Sequence, residues 1–594
     1  MTRDFFQRFL CVSRLFKKAF GAYRLGIVIL VGVGFLSGIF EGVGANALIP
    51  LFSFITGGGG GTDFISQAIK RLFGFVGVDF SLTSLLVFIA LLFVLKSMVL
   101  FFGSYIQFKI SYDYERNTRA ELFQKALMSS WSYLLEQKLG HLEKVLSVEI
   151  QMVARLLKTL SSIVLILTGL FVYVFVAVNI SPMITLVTLG VGLMTLLVSQ
   201  PLVKKVRELS RQLSSKSRAI AHFVNENIIG MKTVKAASVS APIRILGETY
   251  FDSLRQLELK RSLLGALFGS FFQPLSIIFI LLLFSFSYKT STFNLPAFIA
   301  IIYLIQRIFS YVQNLQTHLQ SVFSSLPYLE HVLLCQDQAL QNEEKDSGTR
   351  PFVFEKAFSF RDVSFGYKEK RVLSGVSFSI PKGSFIGLIG PAGAGKPPGV
   401  DLALRLFKPD SGEILLDGIS VLDIDLHTYR KNVGYVSQDI HLINDTVANN
   451  IRFFDESITE EAIVRAAKQA YIYDVIEALP EKFSSVVGER GIHFSAGQRQ
   501  RIVIARVLAR NPQFLILDEA TSALDNESEK RIQEVIENLK GKITVLAIAH
   551  RLGTVMSCDA VFVLEDGKIV ESGNPRELLK NQDSYFFKAH HIRN

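Results

Sequence analysis

Ser384-Phe385-Ile386-Gly387-Leu388-Ile389-Gly390-Pro391-Ala392-Gly393-Ala394-Gly395-Lys396 decides the fold of the C-terminal part of this chain. Its first residues form a short apolar run of strand type. The run ends in the spacing G-x-x-x-x-G-K. Gly390, Gly393 and Gly395 let backbone N–H groups turn inward around phosphates, and Lys396 reaches the terminal phosphates. A glycine-rich turn after a strand is also ordinary structure, so the surroundings must decide. A second apolar run, Phe514-Leu515-Ile516-Leu517, ends in Asp518-Glu519. Asp518 suits a magnesium contact, and Glu519 suits polarising a water for attack on a γ-phosphate. Further β-rich runs at Phe358–Phe365, Val433–Ser437, Thr544–Ile548 and Ala560–Leu564 alternate with helical patterns. This texture predicts an α/β P-loop domain with a largely parallel sheet over residues 353–594.

Upstream the texture is different. The chain has 594 residues, 49% hydrophobic and 19% charged. That charged share is below the roughly 25% usual in soluble proteins, which excludes a disordered chain, a collagen or a coiled-coil rod. The excess of apolar residues lies before residue 320, in six runs near the ~20 residues that a bilayer demands. They cover about Leu25–Ile55, Leu82–Ile106, Ser161–Val178, Met183–Val203, Leu263–Phe286 and Pro296–Val312. Residues 25–335 therefore predict an α-helical six-span membrane domain with two long loops, which read as spans continuing beyond the bilayer and turning back near Trp131–Gly140 and Glu226–Lys235. The five glycines Gly57–Gly61 read as a flexible outer loop. Residues 336–352 are polar and lack periodicity, as expected of a linker.

The net charge is +11. Lys and Arg crowd the two long loops, while the opposite loops hold little more than Lys70, Arg71 and Lys289. The positive-inside rule then puts both termini, the long loops and the P-loop domain in the cytoplasm. Topology accounts for the basic excess, so a nucleic-acid partner is not expected. In residues 1–24, Phe5, Phe9, Val12, Phe16 and Phe20 share one helical face, with Arg8, Arg14, Lys17 and Lys18 mostly elsewhere. This predicts an interfacial helix on the membrane surface, with a helix packed on protein as the alternative. No cleavable signal is evident. Cys11, Cys335 and Cys558 are far apart, match no metal spacing and imply a reducing compartment for the soluble part.

More residues fall into place around the two strand ends. Phe494-Ser495-Ala496-Gly497-Gln498, followed by Gln500, Arg501 and Arg506 on a helix, lies between them in sequence. Ser522-Ala523-Leu524-Asp525 follows the acids, His550 follows another apolar strand, Gln438 follows the run at 433–437, and Tyr367 precedes the glycine loop. In this order the chain resembles an ATP-binding-cassette (ABC) exporter half-transporter, across both of its halves. The resemblance implies ATP and Mg²⁺ as cofactors. It implies that Tyr367 stacks on adenine, that Lys396 holds the β/γ-phosphates, and that Gln438 and Asp518 serve the magnesium. It makes Glu519 the catalytic base, His550 a contact of the γ-phosphate, and Asp525 part of the loop joining two sites. Ser495, Gly497 and Gln498 would belong to the signature that closes on the ATP of another subunit. One cassette per chain implies a homodimer or a pairing with a related half-transporter, in the inner membrane of a bacterium.

Two departures stand out. After Lys396 the family pattern has Ser or Thr, whereas this chain has Pro397-Pro398-Gly399. The hydroxyl that ligates magnesium is missing, and two backbone N–H donors vanish. Proline fits a first helical turn, so the fold should survive while ATP hydrolysis suffers. A hydrolysis-impaired regulatory or binding subunit is thus the alternative to an active ATPase. In the signature, Phe494 and Ala496 replace Leu and Gly. In the membrane part, Glu41 lies within the first span and Lys96 within the second. Charged residues at that depth face a bundle interior or a cavity. Glu41 is therefore a candidate substrate contact, or the partner of Lys96. The stretch Phe40–Leu51 resembles the first-span pattern of bacterial lipid-linked-oligosaccharide flippases. A lipid-linked or amphipathic substrate is implied, with peptides and hydrophobic drugs as other options.

Overall fold

In the computed structural model, residues 15–592 are described apart from 48–49, 52–53, 55–63, 138–140, 181, 289–294, 369, 392, 520–525 and 550–551. The glycine loop at 57–61 lies outside the described residues, as do Phe5, Phe9 and Val12. The chain divides into two compact units, one of helices reaching Glu343 and one of α/β type from Glu344 to Asn594.

Among the described residues, six long helices build the helical unit: α1 Arg24–Asn46, α2 Leu82–Leu127, α3 Ile150–Ile180, α4 Pro182–Ile229, α5 Ser240–Ser287 and α6 Leu295–Gln341; the shorter helix Phe64–Val76 lies between the first two. Among the described residues, five helical stretches are long and apolar enough to cross a membrane, and the sixth predicted span falls on α6. Helix α1 stops short of the expected Ile55. Pro50, Leu51 and Phe54 beyond it are again helical, and Pro50 has no N–H to give the carbonyl of Asn46, which interrupts the ladder there. Helices α2, α4, α5 and α6 have 46, 48, 48 and 47 residues. At 1.5 Å per residue each is about 70 Å long, more than twice a hydrocarbon core of ~30 Å. They run on past their apolar segments. The chain turns through the short helices Trp131–Glu136 and Met231–Ala236. Pro201, Pro274 and Pro327 sit inside α4, α5 and α6.

Helix α6 also runs through the stretch expected to be linker, as far as Gln341, because Cys335 and Ala339 are buried on its inner face. Around that face lies an apolar core of Tyr114, Leu122, Val153, Leu157, Leu326, Leu329 and Val332. Phe16 and Phe20, the described part of the N-terminal apolar face, pack into the same core. Phe20 is buried, with its ring 5.1 Å from that of Tyr114.

The α/β unit contains two sheets. One has the order β10-β9-β3-β8-β7-β6, with β3 Phe385–Ile389, β6 Val433–Val436, β7 Phe514–Asp518, β8 Thr544–Ile548, β9 Ala560–Glu565 and β10 Lys568–Gly573. Its neighbours are parallel except β10, which is antiparallel to β9. Strands β3 and β8 are buried at every position, as expected for a sheet covered on both faces. Alternate residues serve two cores: Phe385, Leu515 and Leu517 face the helical side, while Ile386, Leu388, Phe514 and Ile516 face the other. The second sheet, which the largely parallel reading omitted, is antiparallel with the order β2-β1-β4-β5. It comprises β1 Ala357–Tyr367, β2 Lys370–Pro381, β4 Ser411–Leu416 and β5 Ile419–Ser420. Phe358, Phe360 and Phe378 of this sheet join Phe514 and Ile516 in one core.

Candidate nucleotide-binding site

The carboxyl ends of parallel strands are where an α/β sheet gathers ligand-binding groups. Here β3 ends in the glycine loop, β7 in Asp518-Glu519, and β6 leads into Gln438. Gly393 and Gly395 have φ of +84° and +104°, a region open to glycine and strained for other residues. A Cβ at 395 would also lie 2.9 Å from the carbonyl oxygen of Val372. Helix α7, Lys396–Ala403, begins immediately after the loop, with proline in its first turn. First-turn N–H groups have no helical partner, so Pro397 and Pro398 remove no helical hydrogen bond. Lys396 is buried, and its Nζ donates to the carbonyls of Gly390 at 2.7 Å and Pro391 at 3.0 Å.

Parallel pairing of Val436 with Leu517 sets β6 and β7 in register, so the residues just past both ends meet. The Gln438 amide donates to Glu519 Oε2 at 3.0 Å. Glu519 adopts φ of +49°, a costly conformation for a non-glycine residue, of order 1–3 kcal/mol. Its N–H donates to the Ile548 carbonyl at 3.2 Å, which ties the turn to β8. Two further groups escaped the sequence reading. The Tyr435 hydroxyl donates to Asp518 Oδ2 at 3.2 Å, and the Tyr367 hydroxyl donates to Asp401 Oδ2 at 3.1 Å. Asp401 lies one turn into α7. Burial raises the Asp518 carboxyl above its usual range, and the negative charges of Glu519 and Asp401 add to this. Tyr435 and Lys396 pull the other way. Burial likewise raises Asp401, and burial together with Asp401 pushes the Tyr367 phenol up to about 12. Asp525 and His550 lie outside the described residues.

Ser495 caps helix α8, Ala496–Ala509. Its hydroxyl accepts from the Gln498 N–H at 3.3 Å, and its own N–H donates to Gln498 Oε1 at 2.9 Å. This reciprocal pair fixes the helix start. Gly497 is buried, and Ala496 packs against the helical-side core. Arg501 and Arg506 are structural. Arg501 donates to the carbonyl of Tyr471 at 2.6 Å, and Arg506 to those of Asn450 at 2.7 Å and His441 at 2.8 Å.

In the helical unit Glu41 is 1% exposed. It pairs with Lys96 at 2.7 Å, as the second of its two sequence readings held. A partner that the sequence reading passed over completes the cluster: Arg307 of α6 bonds Glu41 Oε1 through Nε at 2.9 Å and also through Nη2. Tyr311 donates to Oε2 at 3.3 Å. Its signal was a lone arginine inside the sixth apolar run. Removing one partner of a buried ion pair typically costs about 3–5 kcal/mol. Glu41→Leu is therefore expected to lower the melting temperature of the detergent-solubilised protein strongly, and Glu41→Leu/Lys96→Met to regain part of the loss. Equal melting of all three proteins would show that the cluster contributes nothing to stability.

Comparison with known proteins follows the same division. Residues 373–522 match the ABC transporter family model, and residues 28–237 match that of the ABC transporter transmembrane region. An ATP-dependent lipid A-core flippase of Thiobacillus denitrificans is 32% identical over 513 residues, 83% of this chain and 86% of that protein. One from Pseudomonas syringae pv. syringae is 31% identical over 507 residues, 82% of each chain. The flippase of Haemophilus influenzae strain 86-028NP is 46% identical over a shorter stretch of 246 residues, 41% of this chain and 42% of that protein. The structure of a bacterial Atm1-family ABC exporter with ATP bound superposes with a TM-score of 0.78. It covers 97% of this chain and 99% of the other at 22% identity, a likeness of fold. Because the similarity runs through the membrane helices as well as the P-loop unit, this chain belongs to the ABC transporter family, with transmembrane region and ATPase domain fused in one polypeptide.

Proposed function

We propose that this transporter is an ATP-driven flippase that moves a lipid-linked, amphipathic substrate across the bacterial inner membrane by alternating access. It works as a homodimer or with a related half-transporter, and its termini and cassette are cytoplasmic. The reading is carried by the gathering of Lys396, Gln438, Asp518 and Glu519 at the carboxyl ends of β3, β6 and β7. It is supported by full-length similarity to proteins named lipid A-core flippases.

The residues fit a nucleoside triphosphate with magnesium. Asp518 and the Gln438 amide oxygen are oxygen donors of the hard type that Mg²⁺ prefers, and Asp401 and Glu519 add negative charge beside Asp518. The glycine loop leaves backbone N–H groups for phosphate oxygens. Bound ATP supplies a γ-phosphate whose transfer to water drives the cycle. Tyr367 offers a ring face to adenine, and Lys396 offers an ammonium to the phosphates. Asp518 and Gln438 would hold magnesium. Glu519, oriented by Gln438, takes a proton from the attacking water at its carboxylate. His550 and Asp525 complete the site, and Ser495, Gly497 and Gln498 present a helix N-terminus to the nucleotide of the second subunit. Stacking on an aromatic ring is worth about 1–3 kcal/mol per base. Tyr367→Ala is accordingly expected to weaken ATP binding about tenfold, read with a fluorescent ATP analogue; unchanged binding would remove Tyr367 from the site.

The prolines favour a second reading, a subunit that binds nucleotide and hydrolyses it poorly. A reconstitution experiment separates the two. Proteoliposomes containing lipid A-core and this protein alone should show ATP-dependent movement of that lipid between leaflets. Movement only after a related half-transporter is added would establish the impaired-subunit reading instead.

A further inference from the structure

Away from the nucleotide site, three side chains of metal-ligand type converge within the helical unit. His331 and Cys335 lie one turn apart on α6, beyond its apolar segment. His141 opens the short helix His141–Lys144 that leads into α3. One ligand atom from each lies within 4.8 Å of the others. Nε2 of His141 faces Nε2 of His331 at 3.1 Å, and Cys335 Sγ is 3.9 Å from that same His331 nitrogen. A tetrahedral zinc ion with Zn–N of about 2.0–2.1 Å and Zn–S of about 2.3 Å sets its ligand–ligand edges near ~3.3 Å for N–N and ~3.6 Å for N–S. The two separations that involve His331 lie within a few tenths of an ångström of these edges, and His141 and Cys335 lie within 4.8 Å of each other, so a modest side-chain adjustment would let all three atoms share one ion.

The other nitrogen of His331 gives an independent indication. Its Nδ1 is bonded to Oε2 of Glu149, whose side chain is fully buried. A carboxylate there takes the N–H of Nδ1, which leaves the lone pair on Nε2, toward His141 and Cys335. Such a carboxylate–histidine pair is the arrangement that orients metal-bound imidazoles. Glu149 ends a π-helical turn, Val145–Glu149. Single π turns inserted in α-helices occur frequently at functional sites. A cavity of about 500 Å³, lined by His141, Lys144, Arg218, His222 and Glu226 among others, opens beside His141 and offers an entry path.

We propose that His141, His331 and Cys335 bind a single divalent transition-metal ion, zinc by the match of donors and edges, with Glu149 as the positioning carboxylate. Two nitrogens and a sulfur disfavour Mg²⁺ and Ca²⁺, which take oxygen donors. The cavity beside His141 leaves room for water as a fourth ligand. Coordination replaces the thiol proton, which leaves to solvent, and forms Zn–S and two Zn–N bonds with no change of oxidation state. The ion ties the start of the α3 segment to the far end of α6.

The test uses full-length, detergent-purified protein, tag removed and stripped with chelator, titrated with Co²⁺ and then Zn²⁺. One Co²⁺ per chain is expected, with a thiolate-to-cobalt charge-transfer band and the intense visible bands of a tetrahedral site, bleached by Zn²⁺. Zn²⁺ should also raise the melting temperature. Cys335→Ser should abolish the charge-transfer band, and His141→Ala, at a half-buried position, should weaken binding at least tenfold. Glu149→Gln should keep the band and weaken binding by about 10–100-fold. Cys558→Ser should change nothing. Absence of the thiolate band at stoichiometric Co²⁺ would overturn the proposal, as would unchanged affinity in both His141→Ala and Cys335→Ser. The cluster would then be a hydrogen-bonded histidine pair beside a free thiol.

Discussion

Replacing Pro397 by Ser and Pro398 by Thr is expected to raise both ATP affinity and Mg-ATPase turnover, by about 10–100-fold together. The change restores two backbone N–H donors at the first turn of α7 and a hydroxyl able to ligate magnesium. Hydrogen bonds to charged groups contribute about 1.5–3 kcal/mol each, and 1.4 kcal/mol is a factor of ten. Helix α7 already starts at Lys396 with proline in place, so the substitution changes chemistry at the loop and leaves its path alone. Steady-state phosphate release and nucleotide titration, before and after the change, decide the matter. Equal rates and equal affinities in the two proteins would mean that the prolines are not what limits this site.

In that restored background Glu519→Gln is expected to cut hydrolysis by about 10²–10⁴-fold, the range that a positioned general base contributes. ATP binding should persist, because Lys396, the glycine loop and Asp518 are untouched. The amide keeps the size of the side chain and its hydrogen bond to Gln438 but has no basic oxygen to receive a proton. Phosphate release at the parent rate would assign the base to another group. Trapped nucleotide that survives washing, together with lost turnover, is the expected pair of readouts.

The cassette was legible because its chemistry is written locally. A strand, a turn and the residue just past it fix Lys396, Asp518, Glu519 and Gln438, and parallel register then brings the strand ends together without further instruction. Ser495 and Gln498 were legible for a second reason, since their spacing is also that of a capping box. What escaped depends on separation along the chain. Arg307 meets Glu41 across 266 positions, and His141 meets His331 across 190. No spacing rule reports such meetings, so Cys335 looked solitary although two imidazoles surround it. Strand β2 shows the intermediate case. Its alternation at Val376, Phe378 and Ile380 is visible locally, but the antiparallel sheet arises only because β1 pairs with both β2 and the later β4.

The interior prolines have a mechanical consequence. Pro201, Pro274 and Pro327 each lack the N–H that would bond the carbonyl four residues back, at Leu197, Ser270 and Phe323. A rod with one rung missing is more compliant there than along the rest of its length. Helices of about 70 Å then behave as jointed levers. A swing of about 5° at Pro201, about 42 Å from the Ile229 end of α4, displaces that end by about 4 Å, on the scale of the helix shifts that accompany switching. Bending is then taken up at the proline and little elastic energy need be stored in the straight portions, so each portion swings as a rigid arm about its joint.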